Sequence, residues 1–202
     1  MRKHRIFIAI PIPENVQRAL LDETRAWHEL PIRWTKPQNI HVTLLFIGNV
    51  GDEELDRLSA ALPVAAEGIE PFTVTFNHIG VSPNDRMPRM VWAEGETSSA
   101  LTVLQRRVEE VVSERNQHRG IFDEDSAGEI GEAETKNHKN QKPFRLHVTL
   151  GRMIPFKWQR LFQKPKIEKD IELSFPVRSI ELMESHLAPE GPTHKTIIPV
   201  QL

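Results

Sequence analysis

The chain contains no cysteine and no tyrosine. The first absence excludes disulfides, thiolate metal sites and cysteine nucleophiles. Long hydrophobic runs are also missing. The longest, such as residues 6–10 and 42–47, are far too short to span a bilayer. Nor is there an excess of one charge. The 28 Asp and Glu stand against 26 Lys and Arg, a formal net of −2, which argues against a protein that coats long nucleic acid electrostatically. A basic start, Met1-Arg2-Lys3-His4-Arg5, precedes a short apolar stretch that Pro11-Ile12-Pro13 interrupts. A secretory signal needs a longer apolar core and a small-residue cleavage site, so a cytoplasmic protein with no membrane association is expected.

The 202 residues are 39% hydrophobic and 27% charged. That suits one globular domain, or two tightly joined halves, with a real core. Residues 5–10 read as a first strand. Pro13 opens a helix on which Val16, Leu20, Leu21 and Trp27 keep helical spacing. A strand over 39–47 ends at Gly48-Asn49. A second helix over 52–66 starts with acidic residues and aligns Leu55, Leu58 and Leu62. Residues 72–79 and 90–94 suggest paired strands around a Pro/Asn/Asp loop, and 98–116 the longest helix. Residues 122–142 are rich in Glu, Asp, Gly, Lys and Asn, and a solvated, mobile insertion loop is expected there. A strand from 144 through 152, a short helix at 156–162, and closing strands at 174–184 and 196–202 complete the reading. Few helices among many short strands indicate an α+β fold. The second half echoes the first, so two similar lobes are expected within a single domain over 1–202.

The echo is a tetrapeptide. His-Val-Thr-Leu stands at 41–44 and again at 147–150. Side chains alternate along a strand, so His and Thr share one face while Val and Leu point into a core. Nine His and 11 Thr in this length give about half an H-x-T by chance. The identical, strand-compatible pair is much more specific than that. A third match, His194-Lys195-Thr196, reads as the chance one, because Lys195 would take the inward position that Val holds in the others.

Two histidines suit phosphoryl chemistry without a metal. An ordinary imidazole pKa of about 6.5 lets one ring act as base and another as acid near neutrality. In-line displacement at phosphorus needs an attacking and a leaving group on opposite sides, and flanking imidazoles can serve both. The hydroxyls of Thr43 and Thr149 can hold non-bridging oxygens. Arg152, five residues after His147, can add a charge-assisted hydrogen bond. His118 and His138 match no metal-ligand spacing, and no metal or cofactor is expected. There is no Walker signature, which disfavours ATP-driven ligation.

At these residues the chain resembles the two-histidine phosphoesterase superfamily, and within it the RNA 2′,3′-cyclic phosphodiesterases, also called 2′-5′ RNA ligases. The resemblance runs through Ile6–Ile10 and Pro13, Arg33-Trp34, Asn39 to Leu44 and Phe46-Ile47-Gly48. It continues through Pro88 to Trp92, Phe144 to Arg152 and the Ser185 to Gly191 segment. It implies two lobes of antiparallel sheet with outer helices and a cleft between them. It also implies hydrolysis of a 2′,3′-cyclic phosphate to a 2′-phosphomonoester by a monomeric enzyme acting on RNA ends, with 2′-5′ ligation as its reverse. His41 would donate a proton to the leaving 3′ oxygen and His147 would accept one from water. Thr43, Thr149 and Arg152 carry over as phosphate contacts. Three departures are visible: Leu146 where a proline often precedes the second histidine, no tyrosine near position 194, and a longer 122–142 loop.

Other readings compete. A sibling phosphoesterase would act on 2′-5′ oligonucleotides or on ADP-ribose cyclic phosphate. A nucleotide- or RNA-binding module would keep the cleft without turnover. Trp34, Phe46 and Trp92 are candidates to stack on a base, although core packing is favoured for each. Arg86 and Arg89 suit RNA phosphates or simple solvation equally. Residues 121–135 hold six of the 28 acidic residues and no Lys or Arg, leaving 22 acidic against 26 basic elsewhere, a net of +4. A mildly basic body can bind an RNA end through a few phosphates, with the acidic loop as a screen or gate.

Overall fold

A computed structural model describes residues 3–116, 143–189 and 191–202. The expected loop at 122–142 lies outside the described residues. Nine strands occur among the described residues: β1 (His4–Pro11), β2 (Ile32–Trp34), β3 (His41–Val50), β4 (Phe72–Ser82), β5 (Met90–Gly95), β6 (His147–Met153), β7 (Lys169–Val177), β8 (Ser179–His186) and β9 (Thr193–Gln201). The helices are α1 (Glu14–Asp22), α2 (Asp52–Ala66), α3 (Ser99–Asn116) and the short α4 (Pro155–Gln159).

The strands form two antiparallel sheets, in the orders β3-β1-β8-β9 and β2-β6-β5-β4-β7. This is the expected α+β architecture. The sheets are not sequence halves, however. The first sheet takes two strands from each end of the chain, and the second takes the middle plus β2.

Hydrophobic alternation explains the layering. Ile6, Ile8 and Ile10 on β1, Val42 and Leu44 on β3, and Val148 and Leu150 on β6 are all buried. They join Leu58 and Leu62 of α2 and Leu101, Leu104 and Val108 of α3 in one continuous core beneath both sheets. The opposite faces carry the motif His and Thr side chains and, on the first sheet, a smaller apolar cluster around Phe7. α2 keeps the expected bounds, with Asp52, Glu53 and Glu54 in its first turn, where negative charge opposes the helix dipole.

Several boundaries differ from the sequence reading. α1 stops at Asp22, and Trp27 belongs to a separate 3-10 turn (Arg25–Trp27), buried against the same core. Asn39 lies in another 3-10 turn (Pro37–Asn39), so the first motif strand begins at His41 itself. The expected strand over 174–184 is two strands, since β7 pairs with β4 in one sheet and β8 with β1 in the other. Arg178 is the crossing between them. β2 leaves no mark in the sequence, because three residues are too few to show a period.

Candidate active site

The two motifs sit on strands of different sheets: His41 and Thr43 on β3, His147 and Thr149 on β6. As alternation requires, all four are half-buried while Val42, Leu44, Val148 and Leu150 are buried. β3 and β6 contact each other where the sheets meet. The polar faces of the two sheets thus share one cleft. Its floor on the first sheet is a small apolar cluster of Phe7, Ala9, Met183 and Phe46.

Arg152 needs a special device to reach this face. Five positions along a regular strand would turn it away from His147. Thr149 pairs with Trp92 and Gly151 with Val91, which leaves Leu150 as an extra residue. This bulge re-aims the strand beyond it, and Arg152 emerges beside Met90 on the side that Trp92 and Thr149 occupy. β3 repeats the device. Thr43 pairs with Ala9 and Leu45 with Ile8, so Leu44 is extra. Phe46, again five residues after the motif histidine, therefore lies opposite Phe7 on the cleft face.

Each imidazole is held by backbone two residues before it. His147 donates from Nδ1 to the Arg145 carbonyl at 2.9 Å, which leaves Nε2 as the nitrogen not engaged by the backbone. The ring of His41 is hydrogen-bonded to the backbone of Asn39. Asn39 is itself buried and donates from Nδ2 to the Pro192 carbonyl at 2.7 Å, fixing the motif turn against the start of β9. The backbone N–H of Leu146 donates to Thr97 Oγ1 at 2.9 Å, a bond that a proline at this position could not make.

The surroundings of the two rings differ. Trp92 packs on His147 with ring centroids 4.2 Å apart. Phe7 stacks on His41 at 4.9 Å, and His194 meets His41 edge-on at 5.2 Å. Burial first, and the neighbouring His194 second, push the His41 pKa down from 6.5 to about 4. Burial and His186 lower His194 in turn. The structure here corrects the reading of His194 as part of a chance match. β9 is an edge strand, so Lys195 reaches solvent instead of the core, while His194 pairs with Ser185 and turns its ring to the cleft. Thr196 shares that face and donates to Glu181 at 2.7 Å.

The other candidates separate by location. Trp92 is half-buried on the cleft face, neither in the core nor free. Phe46 belongs to the cleft floor. Trp34 packs against His28 at 5.5 Å and the edge of the core. Arg86 and Arg89 are exposed in the β4–β5 loop. A depression of about 450 Å³ near Leu30, Ile154 and Leu161 shares no lining residue with the histidine pair. Among the described residues, no three His, Asp or Glu side chains converge as metal ligands would, and no helix is long and apolar enough to cross a membrane.

A family model for LigT-like phosphoesterases matches residues 10–92, the stretch that contains the first motif. An RNA 2′,3′-cyclic phosphodiesterase from Archaeoglobus fulgidus is 25% identical over 96% of this chain and 97% of its own. Over these residues the chain is similar to LigT-like phosphoesterases. Another relative of the same description, from Thermus thermophilus, is 28% identical over 96% of this chain and 87% of its own. Among solved structures, a Thermus thermophilus protein superposes with a TM-score of 0.75 at 26% identity, covering 98% of this chain and 97% of that one. Escherichia coli LigT crystallised with 3′-AMP shares the fold, with a TM-score of 0.71 at 21% identity over 100% and 99%. In this chain an imidazole, His194, stands against the first motif histidine.

Proposed function

We propose that this protein opens RNA 2′,3′-cyclic phosphate ends to 2′-phosphomonoesters, with His41 and His147 as its acid and base. The observation that carries this reading is the pair of cleft-facing His–Thr dyads, each ring tied to backbone two residues earlier. The names of the full-length relatives support the substrate class. His147 takes a proton from water through Nε2, and the water oxygen bonds to phosphorus. The bond from phosphorus to the 3′ oxygen breaks, and His41 gives that oxygen its proton. Thr43 and Thr149 hold non-bridging oxygens, and Arg152 offsets the charge that develops on them. With an RNA 5′-hydroxyl in place of water, the same steps leave a 2′-5′ phosphodiester. Both lobes contribute, so the bilobal chain acts as one catalytic domain.

The test uses purified protein with EDTA and a 2′,3′-cyclic nucleotide. His41→Ala and His147→Ala should each lower kcat at least about 100-fold, and the product should be the 2′ monoester. Turnover surviving both substitutions would sink the assignment. A product panel with 2′-5′ oligonucleotides and ADP-ribose cyclic phosphate separates the sibling activities.

The depressed pKa of His41 favours a second reading. A ring that titrates at about 4 is neutral at pH 7 in the empty cleft. As an acid, His41 must gain its proton together with the phosphate anion, whose charge raises its pKa. As a base it is ready, and the roles exchange. A substrate with sulfur at the 3′ bridging position decides, because a thiolate leaves without a proton. The histidine whose alanine variant recovers activity on that substrate is the acid.

A further inference from the structure

Three arginines converge on the cleft without a carboxylate. Arg152 on β6 and Arg33 on β2 are direct cross-strand partners, so their side chains share a face. Arg5 comes from the other sheet. It pairs with Asn49 on β1–β3 and lies with its guanidinium 5.0 Å above the Phe46 ring. Arg33 and Arg5 are both near enough to Arg152 to hold its proton affinity below the usual arginine value, after burial itself.

The arrangement has a rough two-fold logic. In the second sheet the residue five after the motif histidine is an arginine. In the first it is Phe46, and the guanidinium is supplied by the neighbouring strand and laid on that ring, a favourable cation–π geometry. Each histidine–threonine dyad thereby has a guanidinium on its own sheet.

These charges are unbalanced. Among the described residues, no ion pair is formed by Arg5, Arg33 or Arg152, whereas Arg18, Arg25, Arg57, Arg106 and Arg145 all have carboxylate partners. Carboxylates on the cleft faces are engaged elsewhere: Glu181 accepts from Thr196, Glu94 pairs with Arg145, and Asp170 lies against His78. The Arg5 Nε is buried with no hydrogen-bond partner among the described residues, and an unsatisfied buried donor favours an incoming acceptor. A cyclic phosphodiester brings a single negative charge. Three guanidiniums facing one such charge leave a surplus that further phosphates would neutralise.

We propose that Arg5 and Arg33, flanking Arg152, form a second anion subsite for the phosphodiester next to the reacting end, so that the site selects an oligonucleotide over a mononucleoside cyclic phosphate. This rests on the proposed reading of the histidine pair. Arg5 is then a specificity residue fixed by the Phe46 ring, and Arg33, more exposed, holds the chain as it leaves the cleft.

The experiment measures kcat/KM for adenosine 2′,3′-cyclic phosphate and for a trinucleotide ending in the same cyclic phosphate, with the full chain and with Arg5→Gln and Arg5→Lys. The unmodified protein should prefer the trinucleotide at least tenfold. Arg5→Gln should reduce that preference at least tenfold, mainly through KM, and Arg5→Lys should restore part of it. A preference ratio unchanged by Arg5→Gln overturns the subsite, as does equal use of both substrates by the unmodified protein. Binding of a trinucleotide that carries a plain 2′-phosphate, monitored by fluorescence anisotropy, separates the two readings. If no cyclic phosphate is opened but this binding weakens tenfold in Arg5→Gln, the subsite stands and the proposed reaction falls. Binding that ignores Arg5 removes the subsite whatever the turnover.

Discussion

His41 titrates at about 4 in the fold, against 6.5 for an ordinary histidine. The unfolded chain therefore binds a proton at this residue that the folded chain refuses. The resulting stability is complete above pH 6.5 and is lost as pH falls from there to about 4, a total of about 3 kcal/mol. His194, lowered in the same direction, adds to the loss. Urea midpoints at pH 7.5 and 4.5 should drop less in His41→Asn than in the unmodified protein, and equal drops would refute the shift. Replacing the neighbour by His194→Phe should raise the His41 titration seen by NMR. The rise should fall short of 6.5, since burial is the larger cause. At this scale the sequence is readable where the pattern is local: two copies of His-Val-Thr-Leu state by alternation which side chains face the cleft. His194 is not readable, because its place against His41 depends on β8–β9 pairing and on an edge position that no local pattern shows.

Among the elements, α2 is legible to its ends because an acidic first turn and leucine spacing mark both the start and the buried face. The bulges are not. An extra residue at Leu44 or Leu150 leaves no trace in a two-residue period, yet each decides what stands five positions after a motif histidine. Gly151 belongs to the second bulge. A Cβ there would meet Ile32 Cγ2 at 2.6 Å and Trp34 Cε3 at 2.9 Å, so β2 or the bulge must move. Gly151→Ala should cost about 1–3 kcal/mol by overpacking and lower kcat/KM on a cyclic nucleotide at least tenfold by tilting Arg152. Gly51→Ala is the control for rate: nothing lies within 4 Å of its Cβ position, so kcat/KM should hold, while the loss of a glycine N-cap on α2 costs about 0.5–1 kcal/mol of stability. An unaffected rate in Gly151→Ala would mean that Arg152 does not depend on the bulge.

For the whole molecule, one core runs beneath both sheets, and a part-buried polar cluster ties β1, β8 and the start of α2 together. His4 on β1 stands 2.7 Å from Glu184 on β8 and 3.0 Å from Asp52 at the start of α2. Glu184 also reaches His186 at 3.2 Å. Removing one member of a buried pair leaves its partner's desolvation uncompensated. Glu184→Ala should lower stability by about 3–5 kcal/mol. It should do so by shifting a single unfolding transition in which circular dichroism and tryptophan fluorescence coincide. Two separated transitions would show that the lobes unfold independently. The α+β class is legible from the mix of elements, but the partition of strands is not. The turn of chain at Arg178 carries no glycine to mark it, and sheet membership is a long-range choice.

That partition has a consequence during synthesis. The four-stranded sheet needs β1 and β3 from the beginning of the chain and β8 and β9 from its end. A ribosome-bound chain stopped before Ser179 owns His41 but neither Met183 beneath the cleft nor His194 beside the ring. The five-stranded sheet, by contrast, is complete once β7 has emerged. Folding from the N-terminus as translation proceeds thus finishes the His147 face first and the His41 face last. The surroundings of His41 are complete only once the final strand is released, so a truncated product lacks one wall of the cleft.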